Sequence, residues 1–196
     1  MNAIEERRSI RKYRQQSVSR EQIEMLVEAA RLAPSAKNRQ PWKYIVYTGT
    51  EKQKLLQAME TGLEKEEKQH SLLPQSAFGL PDAFHTLDIM RQAPVVLIVM
   101  NTNGTSPYEP VDSDGRLSEI CDSLSIGASI ENLLLRATEM GLGTLWIANT
   151  CFAYDNLMEV IGEKGQLIGA IALGYAEEQP LPRPRRNLEE ILEYRS

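Results

Sequence analysis

The fold is decided by a run of six apolar residues near the middle of the chain, Val95-Val96-Leu97-Ile98-Val99-Met100. The run follows Pro94 and precedes a loop rich in Asn, Gly, Pro and Asp, so both of its ends are marked. A short, continuous apolar run of this kind is typical of a strand that is buried on both faces. We therefore expect this strand at the centre of a sheet.

Three further segments have the composition of strands. They lie at residues 43–48, 144–147 and 167–174. The first is β-branched and aromatic and stops at Gly49, which is typical of a strand that ends in a turn. The predicted sheet therefore has at least four strands.

Helical periodicity fills much of the remaining chain. Ser19 and Gln22 have the spacing of a capping box and mark the start of one helix. Thr50 and Gln53 repeat that spacing ahead of a second helix. The charged run at residues 64–68 of this second helix is expected to face solvent. Shorter helices are predicted around residues 87–90, 156–161 and 188–193.

A longer helix is predicted at residues 116–140, with Gly141 in the position that ends it. Apolar residues occur on more than one of its faces, so we expect burial on several sides, by the core or by a second subunit. Residues 71–82 have no period and contain two prolines and a glycine. We interpret them as an irregular loop and a candidate lid, within a variable region at residues 62–90.

The bulk properties limit the class of protein. A chain of 196 residues is long enough for one substantial core, so residues 1–196 are interpreted as a single domain. No apolar run reaches the roughly eighteen residues of a membrane span, and the N-terminus lacks the apolar stretch of a secretory signal. We therefore expect a cytoplasmic protein with no membrane association. A net charge of −5 argues against an open nucleic-acid-binding surface.

Cysteine and histidine give no sign of a metal site. Cys121 and Cys151 lack the spacing of metal ligands, and we interpret both as buried free thiols. His70 and His85 lie in no recognisable ligand motif. The sequence therefore predicts no metal.

Positive charge is concentrated near both ends of this acidic chain. The two clusters are Arg7, Arg8, Arg11, Lys12 and Arg14 at one end, and Arg183, Arg185 and Arg186 at the other. Guanidinium forks, together with the hydroxyl of Ser9, suit a dianionic phosphate. The alternative is a set of exposed ion pairs between the N-terminal arginines and the acidic Glu5 and Glu6.

A polar segment at residues 33–42 connects a predicted helix to a predicted strand. Its two prolines restrict the backbone, while Ser35, Asn38 and Gln40 present groups that suit the polar edge of a planar heterocycle. The alternative is a connecting loop whose tryptophan simply packs. Residues 141–144, Gly-Leu-Gly-Thr, lack the third glycine of a dinucleotide-binding fingerprint, which excludes a Rossmann interpretation.

Four segments together resemble the nitroreductase family in order and spacing: Arg7–Tyr13, Ala33–Trp42, Gly141–Ile147 and Arg183–Ile191. The resemblance implies an α+β fold with a central, mostly antiparallel sheet flanked by helices. It also implies an interlocked homodimer that binds FMN at the subunit interface, with residues 177–196 as a C-terminal arm extending onto the partner.

The resemblance assigns site residues position by position. The ribityl chain and phosphate of FMN would be held by Arg7, Arg8, Ser9, Arg11, Arg183 and Arg185. The flavin site of the partner subunit would be lined by Pro34, Ser35, Ala36, Asn38 and Gln40. One flavin face would be covered by Trp146, Ile147, Ala148 and Asn149, with a backbone N–H directed at flavin N5. Many family members carry an acidic residue and a glycine where this chain has Ala148-Asn149.

The resemblance also implies an activity. NADH or NADPH would reduce the flavin and leave, and a nitroaromatic, a quinone or a similar small acceptor would then enter, in a ping-pong mechanism. No side chain is assigned as general acid or base, because the flavin supplies the redox chemistry. Two alternatives stay open: a flavin-binding module without turnover, serving as sensor, storage protein or regulatory dimer, and a specialised branch acting on iodinated tyrosines, enoyl groups or the flavin itself.

Overall fold

The structure is a computed structural model that describes residues 2–195. Its centre is a four-stranded sheet in the order β1-β2-β4-β3, in which every neighbouring pair is antiparallel. The strands are β1 (Trp42–Tyr47), β2 (Val95–Asn101), β3 (Gly143–Ile147) and β4 (Gln166–Gly174). Every residue of β2 is buried, and β2 lies between β1 and β4. The central position predicted for this strand is confirmed.

Helices cover both faces of the sheet. The α-helices are α1 (Ala3–Glu6), α2 (Arg20–Arg31), α3 (Gly49–Gln69), α4 (Leu80–Gln92), α5 (Ser113–Glu139) and α6 (Tyr154–Ile161). Side chains of β2 alternate between two cores: Val96 and Ile98 face the core shared with α3, α4 and α6, whereas Leu97 and Val99 face that of α2 and α5. The α+β class is confirmed. Across residues 2–195, no helix has both the length and the apolar character needed to cross a membrane.

The two helices behind the sheet follow the sequence pattern closely. The Oγ of Ser19 accepts a hydrogen bond from the Gln22 backbone N–H at 3.2 Å, and Gln22 Oε1 accepts from the Ser19 N–H at 3.0 Å. The predicted capping box of α2 is therefore confirmed. Gly141 follows the end of α5 with φ of 72°, the left-handed conformation that glycine adopts without strain. Its predicted role in ending the long helix is also confirmed.

The start of α3 differs from the prediction. The helix begins at Gly49 with Thr48 as the N-cap residue, so the predicted pair of Thr50 and Gln53 caps nothing. The charged run was also expected to face solvent, and this is wrong for Glu66, which is only 2% exposed. Its carboxylate accepts hydrogen bonds from the backbone N–H groups of residues 71–73, which compensate its burial.

Residues 71–82 are less irregular than expected. Pro74–Gly79 form a 3-10 helix and Leu80 begins α4, so only a few residues remain without helical geometry. Pro74 and Pro81 stand in the first turn of a helix, where a missing N–H breaks no hydrogen bond. The last predicted helix, at residues 188–193, is only the 3-10 turn Leu188–Glu190.

Candidate functional site

The N-terminal segment lies along the edge strand β3. Ser9 forms a parallel bridge with Thr144, and the Ile10 N–H donates to the Thr144 carbonyl at 2.9 Å. Gly143 allows this close approach, because a Cβ there would stand 2.9 Å from Ile10 Cγ1 and 3.0 Å from its Cβ. The glycine therefore allows the arginine-rich segment to lie against this edge of the sheet, where the hydrogen bond to Thr144 holds it.

The tail is held against the same segment. The backbone N–H of Glu177 donates to the Lys12 carbonyl at 2.9 Å, and the Glu178 carboxylate accepts from the backbone N–H groups of Arg11 and Lys12. Tyr13 completes the contact through an antiparallel bridge with Ala176. Chain ends that are distant in sequence are thereby brought together in space.

One pocket of about 280 Å³ lies between the two ends. Its polar lining includes Arg7, Arg8, Ser9, Arg11, Arg183 and Arg185. Within residues 2–195, Glu131 is the only carboxylate that forms an ion pair with any of these arginines, at 3.5 Å from Arg7. The alternative in which they pair with Glu5 and Glu6 is therefore wrong. Five guanidinium groups converge here, and the one carboxylate among the described lining residues, that of Glu5, forms no ion pair with them, which suits an anionic ligand.

A second pocket of about 400 Å³ adjoins the first and shares Arg7 and Ser9 with it. The remaining lining residues are Glu131, Leu134, Thr144, Trp146 and Ala148. Because side chains alternate along a strand, Trp146 points to this pocket while its neighbour Ile147 is buried in the core. The predicted contact of Ile147 with a flavin can therefore come only from its backbone.

Asn149 joins the end of β3 to helix α4. Its Nδ2 donates to Asp82 Oδ2 at 3.1 Å and to Thr86 Oγ1 at 2.9 Å. These contacts fix the backbone that follows Trp146 and Ala148. Its Oδ1 is buried and has no hydrogen-bond partner among the described residues. The segment predicted to cover a flavin face is thus anchored to α4, whose first residues belong to the candidate lid.

The other predicted segment lies away from both pockets of its own chain. Pro34, Ser35, Ala36, Asn38 and Gln40 line neither of them. The polar side chains are nevertheless organised: Gln40 Nε2 donates to Asn38 Oδ1 at 3.2 Å, and the Gln40 N–H donates to Ser35 Oγ at 3.0 Å. Within one chain, the structure therefore brings together the residues assigned to the phosphate and those of β3, but not this loop.

Several contacts of the site escaped the sequence analysis. Glu131 beside Arg7 could have been noticed as the one acid in a small and apolar stretch of a helix that is buried on several sides. Glu178, Asp82 and Thr86 gave no such signal, because each acts on a residue that is distant in sequence. Cys121 and Cys151 are free thiols as predicted, but half-buried rather than fully buried.

Comparisons with known proteins identify the family of this chain. A sequence model of the nitroreductase family matches residues 4–175. The chain belongs to the nitroreductase family. A family relative from Archaeoglobus fulgidus, provisionally named NADH dehydrogenase/NAD(P)H nitroreductase, is 28% identical over 187 residues, which cover 91% of this chain and 86% of the relative.

Solved nitroreductases share the fold. A provisionally named nitroreductase from Desulfovibrio desulfuricans, in complex with FMN, is 25% identical with a TM-score of 0.72, covering 99% of this chain and 95% of that one. The FMN-dependent nitroreductase from Mycobacterium smegmatis, in complex with NADPH, has a TM-score of 0.76 at 21% identity and covers 100% and 97% of the two chains. The second comparison shows the common nitroreductase fold alone.

Proposed function

We propose that this nitroreductase-family chain is an FMN-dependent oxidoreductase that uses NADH or NADPH to reduce a small oxidised acceptor, such as a nitroaromatic or a quinone, by a ping-pong mechanism. The observation that carries the proposal is the pocket in which arginines from both ends of an acidic chain converge. The names of the relatives that bind FMN and NADPH agree with this choice of cofactors.

The donor set fits FMN. The phosphate would be held by Arg8, Arg11, Arg183 and Arg185, whose guanidinium groups have no carboxylate partner among the described residues, and by the Ser9 hydroxyl. The adjoining pocket, with Trp146 and Ala148 on its wall, offers the space and the apolar surface for a planar ring system. Bound FMN would supply the hydride and electron transfer that no side chain of the protein can perform.

The protein's own residues then position and insulate the reacting ring. Trp146 would exclude water from one side, and the Ala148 backbone would face the ring from the end of β3. Asn149, which is held by Asp82 and Thr86, carries no charge. The segment itself therefore carries no carboxylate, and any electrostatic opposition to a reduced, anionic flavin would come from Asp82, which is hydrogen-bonded to Asn149.

A homodimer is part of the proposal. Helix α5 exposes Leu117, Ile120 and Leu124 on one face, at helical spacing. The C-terminal arm exposes Leu181, Leu188, Ile191, Leu192 and Tyr194. A second copy of the chain would cover both surfaces and would receive the Pro34–Gln40 loop at its flavin. The proposal includes a cytoplasmic location, because the proposed electron donors are intracellular and both cysteines are free thiols.

The absorption spectrum of the purified protein tests the proposed function. The purified protein, reconstituted with FMN, should show the absorption of bound oxidised flavin, and anaerobic addition of NADH or NADPH should bleach it. Adding a quinone or a nitroaromatic should then restore the oxidised spectrum. A protein that binds no FMN contradicts the proposal, whereas one that binds FMN but stays oxidised is a flavin-binding module without turnover.

A further inference from the structure

The loop that spans residues 34–40 holds an unusual amount of backbone strain. Lys37 and Asn38 have φ of 54° and Gln40 has φ of 49°, so three residues with side chains adopt the left-handed region within four positions. Asparagine tolerates this region, but lysine and glutamine rarely adopt it, so the conformations of Lys37 and Gln40 persist only where surrounding contacts enforce them. The conformation of this loop therefore depends on its contacts with the rest of the chain.

Besides its internal hydrogen bonds, the loop is held by contacts from one face of helix α5. Ser125 is buried, and its Oγ accepts a hydrogen bond from the Ala36 backbone N–H at 3.2 Å while donating to the Cys121 carbonyl at 2.7 Å. Asp122 stands one turn earlier on the same face, and its Oδ1 lies 2.7 Å from Arg39 Nη2. The helix thus holds the loop at two points, Ala36 and Arg39, on either side of the left-handed Lys37 and Asn38.

The ion pair between Arg39 and Asp122 involves a buried charge, because the Asp122 carboxylate is only 3% exposed. A buried carboxylate needs a charged or hydrogen-bonding partner. Among the described residues Arg39 is its sole cationic partner, and Asn103 Nδ2 is its hydrogen-bond donor at 3.4 Å. Moving Arg39 away would leave a buried negative charge without its cation, so the ion pair fixes where the loop can lie.

The opposite side of the loop is open. Asn38 and Gln40 are exposed and are joined to each other by the hydrogen bond at 3.2 Å. The contacts with α5 on one side of the loop therefore hold a fixed pair of polar side chains on the other side. A loop that is already ordered before its ligand arrives loses less entropy on binding.

We propose that Asp122 and Ser125 are positioning residues for flavin binding, which hold the Pro34–Gln40 loop in the conformation that presents Asn38 and Gln40 to the flavin of the other subunit. Neither residue touches that flavin. The inference rests on the proposed function, since it requires FMN binding and a dimer.

Ser129 provides a matched control. It lies one turn after Ser125 on the same face, is also buried, and donates its hydroxyl to the Ala30 carbonyl at 3.0 Å. Its other contact is the Tyr44 hydroxyl at 2.8 Å. Both partners lie outside the loop. Removing this hydroxyl should affect folding stability in the same way as removing that of Ser125, without releasing the loop.

The first experiment compares FMN dissociation constants by flavin fluorescence for the wild type, Ser125→Ala, Asp122→Asn and Ser129→Ala, well below their melting temperatures. We expect about tenfold weaker binding for the first two variants, equivalent to about 1.4 kcal/mol, and a change within about twofold for Ser129→Ala. Wild-type affinity in Ser125→Ala, or an equal loss in Ser129→Ala, overturns the inference. Absence of FMN binding in the wild type contradicts the proposed function instead.

The second experiment tests action on the other subunit. Ser125→Ala and a chain carrying Arg183→Ala and Arg185→Ala are co-expressed with different tags, and the mixed dimer is isolated through both. One of its two sites then has an intact arginine cluster and an intact loop, whereas the other has neither. We expect half of the sites to bind FMN with wild-type affinity, unlike either parent. Uniformly weak binding shows that the loop serves its own subunit and overturns the inference.

Discussion

Arg7 Nε lies 3.5 Å from Glu131 Oε1, at the junction of the two pockets that form the candidate site. Arg7 is the only arginine of the cluster that meets a carboxylate within the described residues. The pair is partly exposed, so its own contribution to stability is small. The negative charge of Glu131 has a larger consequence for binding, because it would repel an anionic ligand bound at Arg7.

Removing the negative charge of Glu131 should strengthen the binding of FMN. We expect Glu131→Gln to tighten FMN binding by about twofold to fivefold, within the range of a partly exposed ion pair of at most about 1 kcal/mol. The effect should shrink at high salt, which screens exposed charges. Glu139→Gln is the control, since Glu139 pairs with Arg136 at 3.0 Å on the same helix and lines neither pocket. Weaker binding in Glu131→Gln would show that the carboxylate contacts the flavin directly.

The tail arginines allow a sharper comparison. Arg185 lines the phosphate pocket, whereas its neighbour Arg186 does not. Arg185→Ala should weaken FMN binding by about 1.5–3 kcal/mol, the range for a hydrogen bond to a charged group. Titration calorimetry of the apoprotein with FMN provides the measurement. Equal losses in Arg185→Ala and Arg186→Ala would assign both residues to general electrostatic attraction rather than to a phosphate contact.

The sequence predicted those parts of the structure that depend on local pattern. The apolar run of β2 and the capping box of Ser19 need only neighbouring residues to form, and both were recognised. Arginines from both ends of the chain were predicted to share one site, and they line one pocket, whereas their binding of one phosphate stays a prediction. The burial of Glu66 was missed, since its partners are backbone N–H groups that leave no trace in the residue types.

Long-range contacts were beyond the sequence for the same reason. The anchoring of Arg39 by Asp122 joins residues from a loop and a distant helix. Asp122 belongs to none of the recognised segments, and Arg39 lies within Ala33–Trp42 but was given no role there, so each resembled an ordinary surface charge. The position of the tail depends on Glu178 meeting two backbone N–H groups near the opposite end of the chain. Contacts of this kind depend on packing and cannot be deduced from spacing.

Gly143 provides a test of how the arginine-rich segment is seated. Gly143→Ala would place a methyl group 2.9 Å from Ile10 Cγ1, and the N-terminal segment would have to move away from β3. We expect a loss of about 1–3 kcal/mol in the free energy of unfolding, as for other overpacked sites, together with weaker FMN binding. Denaturant unfolding and an FMN titration measure the two effects.

The control for this change is another glycine. A Cβ on Gly127, in α5, would find its nearest neighbour at 3.8 Å, which is an ordinary contact. Gly127→Ala should leave stability unchanged or raise it by up to about 1 kcal/mol, because alanine favours a helix interior. If Gly143→Ala proves equally harmless, the contact with Ile10 does not determine the position of the segment.

The carboxylate of Glu66 gives the fold a defined acid sensitivity. Burial raises its pKa, but hydrogen bonds from the backbone N–H groups of Leu73, Leu72 and Ser71 outweigh burial and hold the pKa below its usual range. A carboxyl whose pKa is lower in the folded state contributes stability above its unfolded pKa of about 4.3, and this contribution disappears as pH falls through the folded value. We therefore expect Glu66→Gln to lose about 1.5–3 kcal/mol at neutral pH, the range for hydrogen bonds to a charged group, and less in acid.

The stability loss in Glu66→Gln is measured by thermal unfolding between about pH 7 and about pH 3, a range that includes the reference carboxyl pKa. Glu67→Gln is the matched control, because Glu67 is the next residue of α3, is exposed and has no such partners among the described residues. The gap in melting temperature between the Glu66 variant and the wild type should narrow as pH falls, while Glu67→Gln should follow the wild type throughout. A gap that stays constant with pH would mean that the side-chain shape of Glu66, rather than its charge, holds residues 71–73 against α3.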